Sequence, residues 1–148
     1  MIQVKNGPID FQPREPFHPL FGAMKQTPVI AEIQATQEYL GQARHLVYHG
    51  PMWKEFLDSD TYAKGQGSTV ARVLAGKVHP YRITGMVSVT NPGLDTNWCG
   101  HHFSQSNWYA FGRLAWNPEL SAETIAEEWT RMTFTNDKKS AAVIVEMM

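Results

Sequence analysis

"TPVIAEIQ", residues 27–34, is a continuous apolar run that starts around Pro28 and ends in polar residues. A run of that length and kind suits a strand buried on both faces, as in a parallel sheet. One charge, Glu32, lies inside it. "MIQV" (1–4) ahead of it is β-prone, and "YRITGMVSVTN" (81–91) after it is β-branched and Met-rich. Both read as further strands.

The segments between and beyond these runs read mostly as helices. "GPMWKEFLDSD" (50–60) carries Pro51 near its start, where proline is tolerated. "GQGSTVARVLAG" (65–76) offers Ser68 or Thr69 as N-cap and Gly76 past its end. "FSQSNWYAFGRLAWNPEL" (103–120) reads as a helix to about Trp116, because Asn117-Pro118 stops it. "SAETIAEEWTRMTF" (121–134) has Ser121 to cap it, Glu123 in its first turn, and Ile125, Trp129 and Met132 on one face. "DKK" (137–139) reads as a solvated turn, and "AAVIVEMM" (141–148) opens a further apolar segment of core-helix type. Pro8, Pro13 and Pro16 break regular structure early, so "FQPREPFHPLFG" (11–22) reads as a loop.

Strands alternating with helices predict an α/β fold with parallel pairing, since parallel strands need long connections. Three strands make a poor parallel sheet alone: both faces need cover and both edges stay open. The chain opens on a strand and stops inside an apolar segment. The expectation is a partial (β/α)8 barrel, an architecture of about 250 residues when whole.

Composition narrows the partners. The 148 residues carry a net charge of −1, with 43% hydrophobic and 18% charged. Near-neutrality argues against nucleic acid, which asks for a basic face. No apolar run reaches a membrane span, so no membrane partner is expected, and residues 1–20 lack a signal-peptide core. A single cysteine, Cys99, excludes an internal disulfide.

In a βα-barrel the chemistry sits at the C-terminal ends of the strands. Asp10 follows the first strand and Glu38 the second. Paired carboxylates perform glycoside hydrolysis, one protonating the leaving oxygen and the other activating water or attacking. On spacing alone, two solvated turn residues is the stronger reading. Cys99, His101 and His102, to which His45 and His49 at i, i+4 could add, contain metal-ligand types, but zinc asks for three or four ligands at defined spacing and polar contacts of loop and helix start are the stronger reading. Trp98 suits a sugar platform or a core position equally, while Trp108, Trp116 and Trp129 read as core. Arg14, next to Glu15, reads as a loop salt bridge.

Two long stretches carry a resemblance. "VKNGPIDFQPREPFHPLFGAMKQTPVIAEIQATQEYLGQARHLVYHGPMWKEFL" (4–57) and "GLDTNWCGHHFSQSNWYAFGRLAWNPELSAETIAEEWTRMTF" (93–134) resemble the α-glucuronidases of glycoside hydrolase family 67. The resemblance implies the last part of a catalytic (β/α)8 barrel over residues 1–116, running into the start of a mostly helical C-terminal region over 117–148. It implies an inverting hydrolase that removes 4-O-methyl-D-glucuronic acid, or glucuronic acid, α-1,2-linked to xylose in glucuronoxylan-derived oligosaccharides. It places the candidate water-activating carboxylates on Asp10 ("GPIDF") and Glu38 ("QATQEYLG"), and on Lys5 a cation that contacts the uronate or its ring hydroxyls. It implies no cofactor and no metal, and homodimers among full-length members. The family's general acid falls on an earlier strand, ahead of Met1, so the 148 residues alone are expected to be inactive and poorly folded. A non-catalytic carbohydrate-binding piece and another barrel glycosidase are the alternative readings.

Overall fold

The computed structural model describes residues 1–7, 14–35, 46–90, 94, 96–97 and 100–148. They form two compact units: Met1–Gln34 with Glu55–Thr90, and Ala35–Lys54 with Asn91–Met148.

The first unit is built on a parallel sheet of three strands in the order β1-β2-β3: β1 (Ile2–Lys5), β2 (Val29–Gln34) and β3 (Gly85–Val89). The fold is therefore mixed α/β with parallel pairing, as the alternation of segments predicts. The apolar run 27–34 becomes the central strand, hydrogen-bonded on both sides. Val29, Ala31 and Ile33 are fully buried, and Val4 lies beside Ala31 on the same face. Two short helices belong to this unit, α1 (Leu20–Ala23) and α3 (Val70–Leu74); α3 packs on β2, and α1 packs on α3. Between them in sequence runs α2 (Gly50–Asp58), which starts in the second unit and finishes in the first. Phe21 of α1 meets Phe56 of α2 edge-on, with centroids 5.3 Å apart. Each such buried side chain contributes about 1.5–3 kcal/mol. The reading of 11–22 as loop throughout missed α1, a single turn with no side-chain cap. Tertiary packing of Phe21 holds it, and local sequence does not announce it.

Helix ends follow the sequence signals. The Thr69 hydroxyl accepts from the Arg72 amide at 3.3 Å and starts α3. At its other end Gly76 takes φ +68, its amide bonding the Val73 carbonyl and the Lys77 amide bonding that of Arg72. This is a Schellman stop, which needs the left-handed conformation glycine adopts freely. The loop between α2 and α3 is tied by one carboxylate. Asp60 accepts from the Tyr62 amide at 2.8 Å and the Gly67 amide at 2.5 Å. Those backbone bonds hold its pKa below the usual carboxylate value.

The second unit contains α4 (Ser104–Trp116), α5 (Ala122–Thr133) and α6 (Lys138–Met147). Ser121 caps α5 by accepting from the Thr124 amide at 3.1 Å. The buried stripe of α5 is Ala122, Ile125, Ala126, Trp129 and Thr130. Trp129 packs with Phe103 and Phe134. Three expectations need correction here. Met132 is exposed, because the stripe centres between Ala126 and Trp129 and leaves it at the margin. Trp116 is 86% exposed: it stands two residues beyond buried Leu114, so the helix turns it to the opposite face. "DKK" is a helix start, since Asp137 accepts from the Ser140 amide at 2.8 Å and α6 begins at Lys138. In α6, Ala141 is buried while Met147 is exposed.

A buried histidine stands at the entry to α2. The His49 amide donates to Asn107 Oδ1 at 2.8 Å, and Asn107 Nδ2 donates to the Val47 carbonyl at 2.9 Å. The His49 ring meets Trp53 edge-on at 5.4 Å, and its Nδ1 has no hydrogen-bond partner among the described residues. Burial pushes its pKa from 6.5 down to about 4.

Three outcomes are expected. Gly76→Ala places a Cβ 3.2 Å from the Tyr81 carbonyl oxygen at positive φ. In urea unfolding of the folded protein it should cost about 1 kcal/mol or more. Gly112→Ala, inside α4 with open space at its Cβ, should stabilise by up to about 1 kcal/mol. For His49, the unfolded chain binds the proton more readily than the folded one between pH 6.5 and about 4. Stability is therefore complete above pH 6.5 and falls by about 3 kcal/mol as pH drops through that window. Unfolding curves across this range should flatten in His49→Phe.

Candidate active site

In a parallel ladder, paired residues point to the same face of the sheet. Lys5 pairs with Glu32, and Glu32 pairs in turn with Val87. Gln3, Lys5, Ile30, Glu32 and Gln34 therefore share the face opposite the one that buries Val29, Ala31 and Ile33. A carboxylate on a strand this central has to be satisfied within the sheet face or remain costly.

Glu32 is satisfied from β1. Lys5 Nζ lies 3.2 Å from Glu32 Oε1 and donates to it. Gln3 Nε2 donates to the other oxygen, Oε2. The Gln3 bond is the largest cause of a lowered Glu32 pKa; burial opposes it, and the Lys5 bond and charge add to it. Glu32 thus stays ionised well below neutrality. The exposures differ sharply: 12% for the Glu32 side chain and 48% for that of Lys5. The acid is anchored against the sheet, and the ammonium stands nearer the solvent.

Just beyond Lys5, Asn6 makes two backbone bonds. The Asn6 amide bonds the Glu32 carbonyl at 3.0 Å, and the His18 amide bonds the Asn6 carbonyl at 3.0 Å. Asn6 is thus bonded to β2 through its amide and to His18 through its carbonyl. In the proline-rich stretch, Arg14 bonds Glu55 Oε1 through Nε at 2.9 Å and Nη2 at 2.5 Å. Arg14 is a salt bridge, as expected, but its carboxylate comes from α2. Asp10 lies in residues 8–13 and Glu38 in 36–45, both outside the described residues. Lys5 is the one of the three expected site residues the structure describes, at the C-terminal end of β1.

The other candidates divide. His101 bonds the Ser104 hydroxyl at 3.1 Å, a helix-start contact of the plain kind expected. His45, Trp98 and Cys99 lie outside the described residues. Among the described residues, no group of three or more His, Cys, Asp or Glu side chains is placed to hold a metal. No helix among them is long and apolar enough to cross a membrane.

Sequence reading passed over Glu32 and Gln3. The signal was available: a lone acid inside an apolar strand demands a partner, and the neighbouring strand supplies two donors at the matching register.

Comparison with known proteins identifies the family. Residues 1–98 match the glycosyl hydrolase family 67 middle domain, and residues 99–148 match the glycosyl hydrolase family 67 C-terminus. Alpha-glucuronidase A of Emericella nidulans is 48% identical over 147 residues, covering 99% of this chain and 17% of its own length. Alpha-glucuronidase of Hypocrea jecorina is 44% identical, with the same coverage of 99% and 17%. Probable alpha-glucuronidase A of Aspergillus flavus is 44% identical over 99% of this chain and 18% of its own. The chain spans about a sixth of the length of these relatives. With both family models covering it end to end, the chain belongs to glycosyl hydrolase family 67.

Proposed function

We propose that this chain is the part of an α-glucuronidase that activates water and receives the uronate. The supporting observation is the match over 99% of the chain, at 48% identity, to a protein named alpha-glucuronidase A. Three parallel strands connected through helices are what a segment of a (β/α)8 barrel would contain. On this reading the barrel segment spans 1–116, and 117–148 opens the helical region.

The chemistry is hydrolysis with inversion at the sugar C1. Asp10 and Glu38 hold the attacking water, one taking its proton and the other orienting it. Their carboxyls stand about 6.5–9.5 Å from the general acid, leaving room for that water. The acid is a glutamate on an earlier strand, so the 148 residues alone release no uronic acid. Lys5 supplies the cation that meets the uronate carboxylate. The substrate is a glucuronoxylan-derived oligosaccharide with glucuronic acid, or its 4-O-methyl ether, α-1,2-linked to xylose. The reaction uses no cofactor, and the full-length enzyme works as a homodimer.

The test is a full-length enzyme in which these 148 residues replace the corresponding stretch of the Emericella nidulans relative. It should release uronic acid from an aldouronic acid. Asp10→Ala and Glu38→Ala should each lower kcat by about 10²–10⁴-fold. Lys5→Met should act mainly on KM. Release that survives both carboxylate substitutions would sink the assignment.

A further inference from the structure

We infer that Glu32, steadied by Gln3, is a positioning residue that aims the Lys5 ammonium at the carboxylate of a uronic-acid substrate. The inference rests on the reading of Lys5 as the uronate-binding cation and adds a determinant of that recognition.

A lysine side chain is a flexible four-carbon stem, and holding its end in one place costs rotamer entropy unless something fixes it. Here the fixing group is built into the sheet. Lys5 and Glu32 are register partners on adjacent parallel strands, so their Cα positions are set by backbone bonding. The Lys5 ammonium reaches Glu32 Oε1 at 3.2 Å. A carboxylate bonded at one oxygen could still swing about its side-chain torsions. Glu32 is bonded at both, because Gln3, two residues before Lys5 on β1 and on the same face, holds Oε2. The low exposure of Glu32, 12%, against 48% for Lys5 puts the anchor beneath and the charge outward.

Field and aim predict opposite signs, which makes the idea testable. As a bare negative charge near the site, Glu32 would repel a uronate, so its neutralisation would lower KM. As an aiming group, its neutralisation would let Lys5 wander and raise KM. In the full-length enzyme carrying these 148 residues, Glu32→Gln is expected to raise KM for the aldouronic acid about tenfold, less than the roughly 10²-fold that a misplacement of about 1 Å can cost. The change in kcat should be smaller. In a Lys5→Met background the same substitution should add no further loss, because there is no ammonium left to aim. Glu32→Asp should recover part of the loss, and Gln3→Leu should show a weaker effect of the same kind.

A lower or unchanged KM in Glu32→Gln overturns the proposal, and so does a loss that adds fully to that of Lys5→Met. Should Glu32→Gln fail to fold, Gln3→Leu, at an exposed position, carries the same comparison. An unsubstituted enzyme that releases no uronate overturns the functional reading itself. An active enzyme with additive losses overturns only the aiming role.

Discussion

The first unit depends on the ladder bonding of β2 to both neighbours. A strand bonded on two sides cannot shift by one residue without exchanging its faces. Such a slip would turn Glu32 into the layer that buries Val29, Ala31 and Ile33, where an unpaired carboxylate is costly. The apolar face and the lone acid therefore enforce one register between them. That register puts Lys5, the last residue of β1, opposite Glu32. Packing on one side of the sheet thus sets the position of a cation on the other.

The second unit is organised by its helices. Arg113 on α4 grips Glu128 on α5 through two bonds, at 2.8 and 3.0 Å, and the Tyr109 hydroxyl adds a third at 2.9 Å. These groups are about one-third exposed, so solvent screens them. The network orients α4 against α5 more than it stabilises them. The apolar stripe around Ile125 and Trp129 supplies the stability.

Much of this was legible in the sequence for a physical reason: the signals were local. Buried parallel strands show as unbroken apolar runs, and caps show as Thr69 or Ser121 ahead of a periodic segment. Gly76 marked the end of α3 because only its backbone suits the turn. What escaped was set by geometry between segments. Met132 and Trp116 are apolar and near helical spacing, yet a small rotation of the stripe leaves both exposed. Asp137 looked like one charge in a solvated trio until its carboxylate was seen closing the first turn of α6. Lys5 and Glu32 stand 27 residues apart, and only strand pairing makes them neighbours. Asp10 and Glu38 belong to a harder class. A carboxylate just after a strand looks the same in a catalytic cleft as in a solvated turn, so only the family resemblance gave those two a role.

The Asp60 carboxylate has a consequence for motion. It grips the Tyr62 and Gly67 amides at once, while the Ser68 hydroxyl accepts from the Lys64 amide and donates to the Gly65 carbonyl. A surface segment with two positive-φ glycines, Gly65 and Gly67, would ordinarily be the loosest part of its unit. Here the amide protons of Tyr62 and Gly67 can exchange with solvent only when the carboxylate lets go. The connection from α2 to α3 is thus closed by its own side chains, so its conformation is set locally by Asp60 and Ser68 and not left to the freedom of its glycines.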